Sequence, residues 1–554
     1  MTRSALRRAG TLGAALLIGL SLVGVRLTYV QAVHSEQYAE EARRQHIRKI
    51  ELPARRGAIY DRIGSELAVS IPARTVYANP REVTDPAKTA LTLGPLLGRP
   101  AGEVEADLRK DRSFVYLARR VGVVTTKKVE ALKLTGIGVL DEPRRLYPGG
   151  NLAAGVIGFI GTDQRGLAGL EYGYEELLGG TPGHRVLEQD PQGRRIPQGT
   201  FSEVPPEPGS DLVLTLHSDL QLAAEDSLRR AIEKTHANGG MLVAMDPRTG
   251  EILAMANMPT YDPNMIGEID PAVTRNRVVT DAFEPGSVNK VVTAAAALNE
   301  SLFGPAEQMW IPAQMKIGDK VFTEKRGSRS LDMRGILAQS SNLGAIRLAQ
   351  GLGARRLESY FQRFGYGRGT GLGFPGESAG NLPATQRWVT SLPTMAIGQG
   401  LSVTPLQLAQ VYATLANDGL LVDPRLVSGW IDHNGETHPA QDPRRRRILP
   451  AEVASGLRDM LTSVVSSPDG TGVAAKIPGF TVAGKTGTAS RLIEGVGYRG
   501  YIASFFGMFP AQAPEIVMGV VLDNPVPSDG GLAAAPVFAE VGSEAARILK
   551  IRPR

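Results

Sequence analysis

The sequence predicts an α/β protein in which one N-terminal membrane helix and an elongated α+β pedestal domain precede a larger C-terminal domain. Three observations lead to this prediction. The chain of 554 residues is too long for a single hydrophobic core. An uncharged apolar run occupies residues 9–25. In the C-terminal half, strand patterns lie on both sides of a helix-rich middle, which indicates one sheet built from distant segments and flanked by helices.

The N-terminal run has the length and the flanking residues of a membrane anchor. We assign residues 9–33 to the span and residues 1–8 to a short cytoplasmic tail. Arg3, Arg7 and Arg8 precede the span. Arginines ahead of a first span favour a cytoplasmic N-terminus, so the rest of the chain is predicted to be exported to the periplasm or the cell exterior.

A cleaved signal peptide is the main alternative to an uncleaved anchor. No A-x-A site follows the apolar run, and residues 34–49 have the pattern of a polar helix that continues outward. The Arg7-Arg8 pair is a weak signal for twin-arginine export. The uncleaved single span is therefore the favoured interpretation.

Composition excludes several classes of function. The net charge of +6 is small for this length, and the densest basic run, at 444–447, lies among turn residues without interleaved aromatics. That run is predicted to be a solvated loop, and nucleic-acid binding is not expected. There is no cysteine, so neither a disulfide framework nor a thiolate metal site can form.

The order of predicted elements places the domain boundary near residue 205. Residues 34–205 carry short strand signals, with helical patches at 86–93 and 102–109, and offer no defensible catalytic constellation. The Pro-rich segment 204–209 separates this pedestal, a non-catalytic domain of dimerisation type, from the second domain at 206–554. The elements predicted for the second domain are a strand at 211–216, a helix at 219–235, a hairpin formed by 241–245 and 251–257, helices across 290–417, strands at 481–485, 501–508 and 516–523, and a helix at 535–549.

Ser287 and Lys290 form the most informative motif of the chain. This is the only place where a serine is followed three residues later by a lysine, and on a helix this spacing brings both side chains to one face. A serine hydroxyl becomes nucleophilic when a base removes its proton, and a lysine can do so only when neutral. Burial and a second nearby cation would lower its pKa sufficiently. A solvated helix face is the common alternative for the spacing alone.

Two further motifs strengthen the catalytic interpretation. Ser340-Ser341-Asn342 supplies another hydroxyl and a carboxamide, and Lys485-Thr486-Gly487-Thr488 supplies a second cation. The order S-x-x-K, S-x-N and K-T-G is typical of serine acyltransferases. An overlapping S-x-N at Ser287-Val288-Asn289 is treated as coincidence. The three motifs together indicate acyl transfer through Ser287.

Each motif residue is suited to one part of that chemistry. Ser287 is the predicted nucleophile, placed at a helix N-terminus where backbone N–H groups favour an oxyanion. Lys290 is its predicted base, and Ser340 relays a proton toward the leaving amine. The predicted substrate-binding residues are Asn342, which holds a substrate amide, Lys485, which supplies positive potential, Thr486, Gly487, which lets a substrate backbone lie against the strand, and Thr488, which binds a carboxylate and donates an N–H to the oxyanion hole.

Other motif readings are weaker. Residues 479–486 match the phosphate-binding pattern G-x-x-x-x-G-K-[ST], but a proline precedes the match and a poor helix start follows it. An α/β-hydrolase triad is not expected. His433, Glu436 and His438 lie close together in a loop, and a metal site there is disfavoured. No cofactor and no metal are predicted.

With these motifs the chain resembles a class B penicillin-binding protein, a peptidoglycan D,D-transpeptidase, and most closely the cell-division type (FtsI). The similarity covers nearly the whole chain. Arg56-Gly57-Ala58-Ile59-Tyr60-Asp61-Arg62 resembles the family's entry to the pedestal, and Phe283-Glu284-Pro285-Gly286-Ser287 differs from the Pro-Pro-Gly-Ser of elongation-type relatives. Two departures are Val288-Asn289 inside the first motif and Gln339, where a lysine often precedes S-S-N. Neither departure removes a catalytic group.

The resemblance implies a penicillin-recognising transpeptidase domain that crosslinks peptidoglycan stem peptides ending in D-Ala-D-Ala, in septal wall synthesis during cell division. It implies inhibition by β-lactams and partnership with a membrane glycan polymerase and other division proteins. The alternatives are an elongation-type transpeptidase, a D,D-carboxypeptidase, and a non-catalytic scaffold or β-lactam sensor. The intact motif residues argue against a silent site, and a cytoplasmic tail of about eight residues argues against a sensor.

Overall fold

The computed structural model describes residues 3–33, 47–188, 196, 201–384, 391–493 and 495–553. These residues form two compact units that interleave along the chain. The first unit comprises residues 1–55, 71–144 and 180–208, and the second comprises 56–70, 145–179 and 209–554. Two segments that precede residue 205 therefore pack with the C-terminal unit. The linear domain boundary drawn from the sequence stays a prediction.

The helices and strands are numbered here in chain order. The helices are α1 Arg3–Thr28, α2 Pro86–Leu97, α3 Ala101–Leu108, α4 Val123–Ala131, α5 Ala154–Ile157, α6 Gly169–Gly173, α7 Glu175–Leu178, α8 Ser218–Thr235, α9 Arg277–Thr280, α10 Lys290–Asn299, α11 Met333–Ala338, α12 Asn342–Leu352, α13 Ala354–Arg363, α14 Leu392–Ala396, α15 Pro405–Ala416, α16 Ala451–Ser466 and α17 Gly530–Ile548. The strands are β1 Ile47–Leu52, β2 Ile59–Tyr60, β3 Glu66–Ile71, β4 Arg74–Ala78, β5 Val115–Val121, β6 Ile137–Asp141, β7 Arg144–Leu146, β8 Gly183–Glu188, β9 Phe201–Val204, β10 Asp211–Leu214, β11 Gly239–Met245, β12 Ile252–Met258, β13 Met309–Ile311, β14 Gln314–Ile317, β15 Lys320–Thr323, β16 Arg329–Leu331, β17 Leu420–Val422, β18 Val427–Ile431, β19 Thr437–Pro439, β20 Arg445–Arg447, β21 Ala483–Ile493, β22 Gly497–Phe509 and β23 Ile516–Asp523.

The predicted N-terminal apolar helix is confirmed. Helix α1 continues into a π-helical turn at Tyr29–Val33, and the stretch Gly10–Gln31 is long and apolar enough to cross a membrane, with mean hydropathy 1.8 over its most apolar window. The polar helix predicted for residues 34–49 lies mostly outside the described residues. Its last three residues belong to strand β1, which pairs with β8, so the helix prediction is wrong there.

The first unit contains two three-stranded sheets and a small helical layer. The sheets have the strand orders β1-β8-β9 and β5-β4-β6. The predicted helical patches at 86–93 and 102–109 are helices α2 and α3, and α2 begins after Asp85, whose side chain accepts the N–H of Lys88. Leu93 and Val104 belong to the small apolar core of this unit.

The second unit is organised around a five-stranded antiparallel sheet. Its strand order is β12-β11-β23-β22-β21, so two strands near residue 250 pair with three strands near residue 500, as predicted. Every residue of β11, β12 and β23 is buried, which requires apolar cover on both faces. Helices α8, α15 and α17 pack against this sheet. Strand β21 forms one edge.

Helix α15 shows how local sequence and burial agree. Thr404 and Gln407 form a capping box at its start, with Pro405 at the first helical position, and these residues are well suited to that end of a helix. All twelve residues of α15 are buried. Helix α15 therefore lies in the interior, beside the sheet.

Several element boundaries differ from the sequence prediction. Strand β21 continues to Ile493, well beyond the predicted end at Lys485. The residues after Lys485 stay in the strand because they continue to pair with β22. Helix α17 starts at Gly530, because Asp529 caps it and Pro536 is accommodated inside it. The arginine run predicted as a loop forms the short strand β20. Two hairpins, β13–β16 and β14–β15, interrupt the region predicted to be mainly helical.

Candidate active site

The turn that carries Ser287 leads directly into a helix. Gly286–Asn289 forms a 3-10 turn, and α10 follows it at Lys290. Gly286 has φ of +59°, which favours glycine, and its N–H donates to the carbonyl of Gly398 at 3.0 Å. Ser287 is half-buried. The serine thus lies at a helix N-terminus, as the sequence predicted.

Two side chains beneath this turn hold it in place. Asn289 is fully buried, donates from Nδ2 to the carbonyl of Met395 at 3.1 Å and accepts the hydroxyl of Tyr366 at 2.9 Å. Tyr412 donates its hydroxyl to the carbonyl of Val288 at 3.0 Å. Asn289 therefore supports the turn from inside the core, which agrees with the prediction that the overlapping S-x-N pattern is a coincidence.

Lys290 joins the first motif to the second. Its side chain is 1% exposed. Its Nζ donates to Asn342 Oδ1 and to the carbonyl of Ser340, both at 2.6 Å, and lies 3.3 Å from Ser340 Oγ. The structure therefore brings together three of the residues predicted from separate motifs. Ser287 makes no side-chain hydrogen bond to any described residue, so its hydroxyl is available to a ligand.

The second motif forms a strained turn between two helices. Ser340 follows α11 with φ of +56°, a left-handed conformation that is uncommon for serine. Ser341 is buried and caps α12, accepting the N–H of Gly344 at 3.0 Å. Asn342 is the first residue of α12. The two helices thereby direct Ser340 and Asn342 toward Lys290.

Glu324 supports this turn from beneath. Its carboxylate is buried, accepts the hydroxyl of Ser341 at 2.7 Å and the N–H of Leu343 at 3.2 Å, and forms a salt bridge with Arg329 at 3.1 Å. Sequence analysis missed this residue. No motif marks it, because it lies just after the short strand β15, and its contacts with the second motif are to residues 17 and 19 positions further on.

The third motif lies on the edge strand β21. Lys485 is fully buried, and its Nζ donates to the carbonyl and hydroxyl oxygens of Thr486 at 3.3 and 3.4 Å. The Thr486 hydroxyl also lies 2.7 Å from that of Thr471. Thr488 is exposed, and its Oγ1 accepts the N–H of Gly530 at 3.3 Å. Thr488 is therefore the member of this motif most accessible to a ligand.

Packing requires a glycine at position 487, in addition to its predicted role in substrate access. A Cβ at this position would lie 2.3 Å from Ser504 Oγ and 2.9 Å from Val288 Cγ1, both far inside normal contact. Because Val288 belongs to the nucleophile turn, the missing side chain lets that turn pack directly on β21. Gly286 packs there as well, since a Cβ on it would lie 3.1 Å from Ala489 Cβ.

Burial dominates the electrostatics of the two lysines. Burial holds the pKa of Lys290 well below its usual range, and the positive charges of Lys485 and Lys325 lower it further, while Glu324 opposes the shift. Burial also lowers the pKa of Lys485 to about 7, with Asp529 opposing and Lys325 assisting. A neutral Lys290 near neutral pH is what a serine-activating base requires.

The phosphate-binding reading of residues 479–486 does not fit the structure. Lys485 and Thr486 lie inside strand β21, whereas a phosphate-binding loop needs a helix to start there. Asp432, Glu436 and His438 lie together at the exposed β18–β19 turn. Asp432 uses its carboxylate to accept the N–H groups of Asn434 and Glu436, which is an ordinary turn contact. His433 is not part of this group.

Comparison with known proteins identifies the class to which this fold and site belong. Residues 240–542 match the penicillin binding protein transpeptidase domain, and residues 51–214 match the penicillin-binding protein dimerisation domain. The fold is therefore that of a serine-type acyltransferase preceded by a dimerisation-type domain. The chain belongs to the class B penicillin-binding proteins, and it is a peptidoglycan D,D-transpeptidase.

Relatives match along almost the whole chain. The probable peptidoglycan D,D-transpeptidase PbpC of Pseudomonas aeruginosa is 35% identical over 545 residues, covering 97% of this chain and 94% of that protein. The peptidoglycan D,D-transpeptidase FtsI of Escherichia coli K12 is 33% identical over 550 residues, covering 97% and 91%. Among solved structures, penicillin binding protein 3 from Mycobacterium tuberculosis, complexed with aztreonam, matches with a TM-score of 0.72 at 31% identity, covering 91% of this chain and 98% of that one.

Proposed function

We propose that Ser287 is the acylated nucleophile of this transpeptidase and that Lys290 is its base. One observation carries the proposal: Lys290 is buried and hydrogen-bonded to both Ser340 and Asn342, one helical turn after a half-buried Ser287. Its lowered pKa leaves it neutral over a range in which an ordinary lysine is charged. A neutral amine beside the serine accepts the hydroxyl proton as the acyl carbonyl is attacked.

The remaining motif residues fit the two half-reactions. In the first, a bond forms between Ser287 Oγ and the carbonyl carbon of the penultimate D-Ala. The amide bond to the terminal D-Ala breaks, and a proton relayed through Ser340 reaches the departing amine. In the second, an amine of another stem peptide attacks the ester, the new amide forms, and Ser287 regains its proton. The proposed oxyanion donors are backbone N–H groups of the turn and of Thr488.

Substrate binding falls to the surrounding motif residues. Asn342 is placed to hold the donor peptide through its carboxamide, using the NH2 group that its bond to Lys290 leaves free. Lys485, Thr486 and Gly487 form the β21 edge along which the peptide lies, and the exposed hydroxyl of Thr488 binds its carboxylate. The positive charge of Lys485 attracts that same anionic terminus.

We infer that the enzyme acts in septal wall synthesis. The Glu284-Pro285-Gly286 sequence before the nucleophile supports this role, because elongation-type relatives tend to carry Pro-Pro-Gly there. The Glu284 carboxylate accepts the N–H of Gly400 at 3.0 Å and the hydroxyl of Tyr498 at 2.9 Å. The similarity to FtsI of Escherichia coli supports it as well. A membrane glycan polymerase and other division proteins are the expected partners, and an elongation role is the alternative.

Two further parts of the proposal concern orientation and inhibition. Arg3, Arg7 and Arg8 lie at the start of α1, ahead of its apolar stretch, and favour a cytoplasmic N-terminus with the residues after the span outside the membrane. β-Lactams are proposed to acylate Ser287 as mimics of the donor peptide. The Mycobacterium tuberculosis structure in complex with aztreonam supports this for a relative. The expected binding partners outside the membrane are therefore stem peptides and β-lactams.

Depletion of the protein in its own bacterium, with rescue by variants, tests the proposal. Loss of the protein is expected to give filaments without septa, and wild type but not Ser287→Ala is expected to restore division. Rescue by Ser287→Ala would overturn the catalytic assignment. Cells that swell or round up and still form septa would instead identify the elongation role. A reporter that is active only after export, fused at Arg554, tests the orientation, and an inactive but stable fusion would overturn it.

A further inference from the structure

A basic cavity lies on the second unit and contains none of the three catalytic motifs. It has a volume of about 330 Å³, and its lining residues include Arg368, Arg444, Arg445 and Arg446. The glycine-rich loop 365–371 forms another part of its wall. Sequence analysis singled out the arginine run as a solvated loop. The arginines of this run are exposed, as predicted, and the structure places three of them around one concave space.

The backbone that carries these arginines is held at several points. Strand β20 pairs with β17, with Leu421 opposite Arg446, and the N–H of Asp423 donates to the carbonyl of Arg444 at 3.0 Å. Two of the guanidinium groups are also oriented by backbone carbonyls. Arg446 donates to Arg363 at 2.9 Å, and Arg368 donates to Gln362 at 2.9 Å. Each guanidinium has five N–H donors, so most of them stay free to bind a ligand.

The positive charge of the cavity is only partly offset by the described carboxylates. None of the four arginines forms a salt bridge with a described carboxylate, whereas Arg425 binds Glu251 at 2.7 Å and Arg458 binds Asp418 at 3.0 Å in the same unit. Asp423 is the one carboxylate among the lining residues. Burial raises its pKa even though Arg444, Arg446 and Arg368 oppose the shift.

The arginines also act on one another. Burial lowers the pKa of Arg446, and the nearby charges of Arg368 and Arg363 lower it further, while Asp423 opposes them. Like charges brought together in a partly desolvated space repel each other. A bound anion would relieve that repulsion. An anion with several oxygens suits it best, because guanidinium groups bind phosphate oxygens in a bidentate manner.

We propose that this cavity is a second ligand site of the protein, which binds a phosphate or diphosphate group. The group belongs either to a soluble phosphorylated molecule or to the headgroup of a membrane lipid. The proposal is independent of the assignment of Ser287, because the cavity shares no lining residue with the catalytic motifs.

Isothermal titration of the full-length protein in a neutral detergent, with inorganic pyrophosphate as the probe, tests the proposal. Wild type is expected to bind one equivalent. The double variant Arg444→Gln/Arg445→Gln is expected to bind at least ten-fold more weakly, and neither of these side chains makes a hydrogen bond to a described residue that the change would break. The matched control is Arg355→Gln/Arg547→Gln, which removes the same charge from exposed helix positions outside the cavity and is expected to bind like wild type.

Two further measurements show whether each variant is folded and which kind of phosphate compound binds. Fluorescent penicillin labelling reports whether each variant is folded, and Arg446→Gln replaces the double variant if that one fails to label. Dihexanoyl phosphatidic acid, titrated in parallel, distinguishes the sources. If phosphatidic acid binds more tightly than pyrophosphate, and the cavity variant loses that binding, the ligand is a lipid headgroup. If phosphatidic acid binds more weakly than pyrophosphate, the ligand is a soluble phosphate compound. No binding of either probe, or equal binding by wild type and the folded cavity variant, would overturn the proposal.

Discussion

Glu324 accepts a 2.7 Å hydrogen bond from the hydroxyl of Ser341 and thereby connects a buried carboxylate to the middle residue of the S-S-N motif. The same carboxylate opposes the lowering of the Lys290 pKa. One residue outside the motifs thus acts on two properties of the site. It holds the turn that positions Ser340 and Asn342, and it adjusts the proton affinity of the base.

Glu324→Gln is expected to move the acid limb of the pH profile of acylation to lower pH. The reactive form of Lys290 is the neutral amine, and its fraction rises as the pH rises through its pKa. Removing the negative charge that favours protonated Lys290 lowers that pKa, so the rise begins earlier. The measurement is the second-order rate constant for acylation by benzylpenicillin as a function of pH. The free energy of unfolding is also expected to fall by about 1–3 kcal/mol, because a buried charged hydrogen bond is weakened.

The neighbouring Lys325 offers a control of opposite sign. Its positive charge lowers the pKa of Lys290, so Lys325→Gln is expected to move the acid limb to higher pH. Because Lys325 is exposed, its loss should leave stability within about 0.5 kcal/mol of wild type. Shifts in the same direction for both variants would contradict the electrostatic interpretation of Glu324.

Ser287→Ala is expected to abolish labelling by a fluorescent penicillin while the thermal unfolding temperature stays near that of wild type. Lys290→Arg is expected to reduce the labelling rate about 10²–10⁴-fold, because a guanidinium cannot act as the base. The control is Ser543→Ala, on the exposed face of α17, where the hydroxyl binds only a carbonyl of its own helix. An adduct located by mass spectrometry on Ser340 would refute the assignment.

Lys485 is expected to produce the alkaline limb of the profile. Burial lowers its pKa to about 7, so its charge is present below that pH and is lost above it. Acylation by an anionic substrate should therefore weaken as the pH rises through about 7. In Lys485→Arg the charge persists, so the alkaline decline should disappear even if the maximal rate falls. An unchanged decline in this variant would show that another group causes it.

Gly487→Ala is expected to reduce both stability and acylation. The added Cβ would meet Ser504 and Val288 at less than 3 Å, and overpacking of this kind typically costs about 1–3 kcal/mol. Because Val288 lies in the nucleophile turn, the displaced turn should also misplace Ser287. The control is Gly456→Ala on α16, where a Cβ would meet nothing within 4 Å and stability should be equal or slightly higher. Normal acylation by Gly487→Ala would exclude the proposed packing role.

The penicilloyl-enzyme is expected to persist for many minutes. Class A β-lactamases use a glutamate-activated water to hydrolyse this intermediate. In this chain Glu377 is the residue whose sequence context most resembles that glutamate. Its carboxylate accepts the N–H of Thr370 at 2.7 Å as well as the Thr370 hydroxyl, so it is occupied within its own loop. The amount of penicillin consumed per mole of enzyme measures this directly. Rapid turnover that Glu377→Gln abolishes would identify a hydrolase.

Much of the site could be predicted from the sequence because its catalytic residues occur in short sequence motifs. Ser287 and Lys290 are three residues apart in a 3-10 turn and the helix that follows it, and their proximity depends only on that spacing. The apolar run at the N-terminus and the buried strand at Ile516–Asp523 were also predictable, since their apolar composition is continuous. These features are determined by neighbouring residues and need no knowledge of the rest of the chain.

Only the tertiary structure placed Lys290 against Asn342 and packed Gly487 against Val288. It brought Glu324 near Lys290, and Lys325 near both Lys290 and Lys485. It also made a strand of the residues around Gly487 and gathered four arginines around one cavity. Each of these features depends on burial or on distances between residues that are tens to hundreds of positions apart. A pKa or a steric clash is determined by the atoms that surround a group, and those atoms come together only when the sheet and its helices pack.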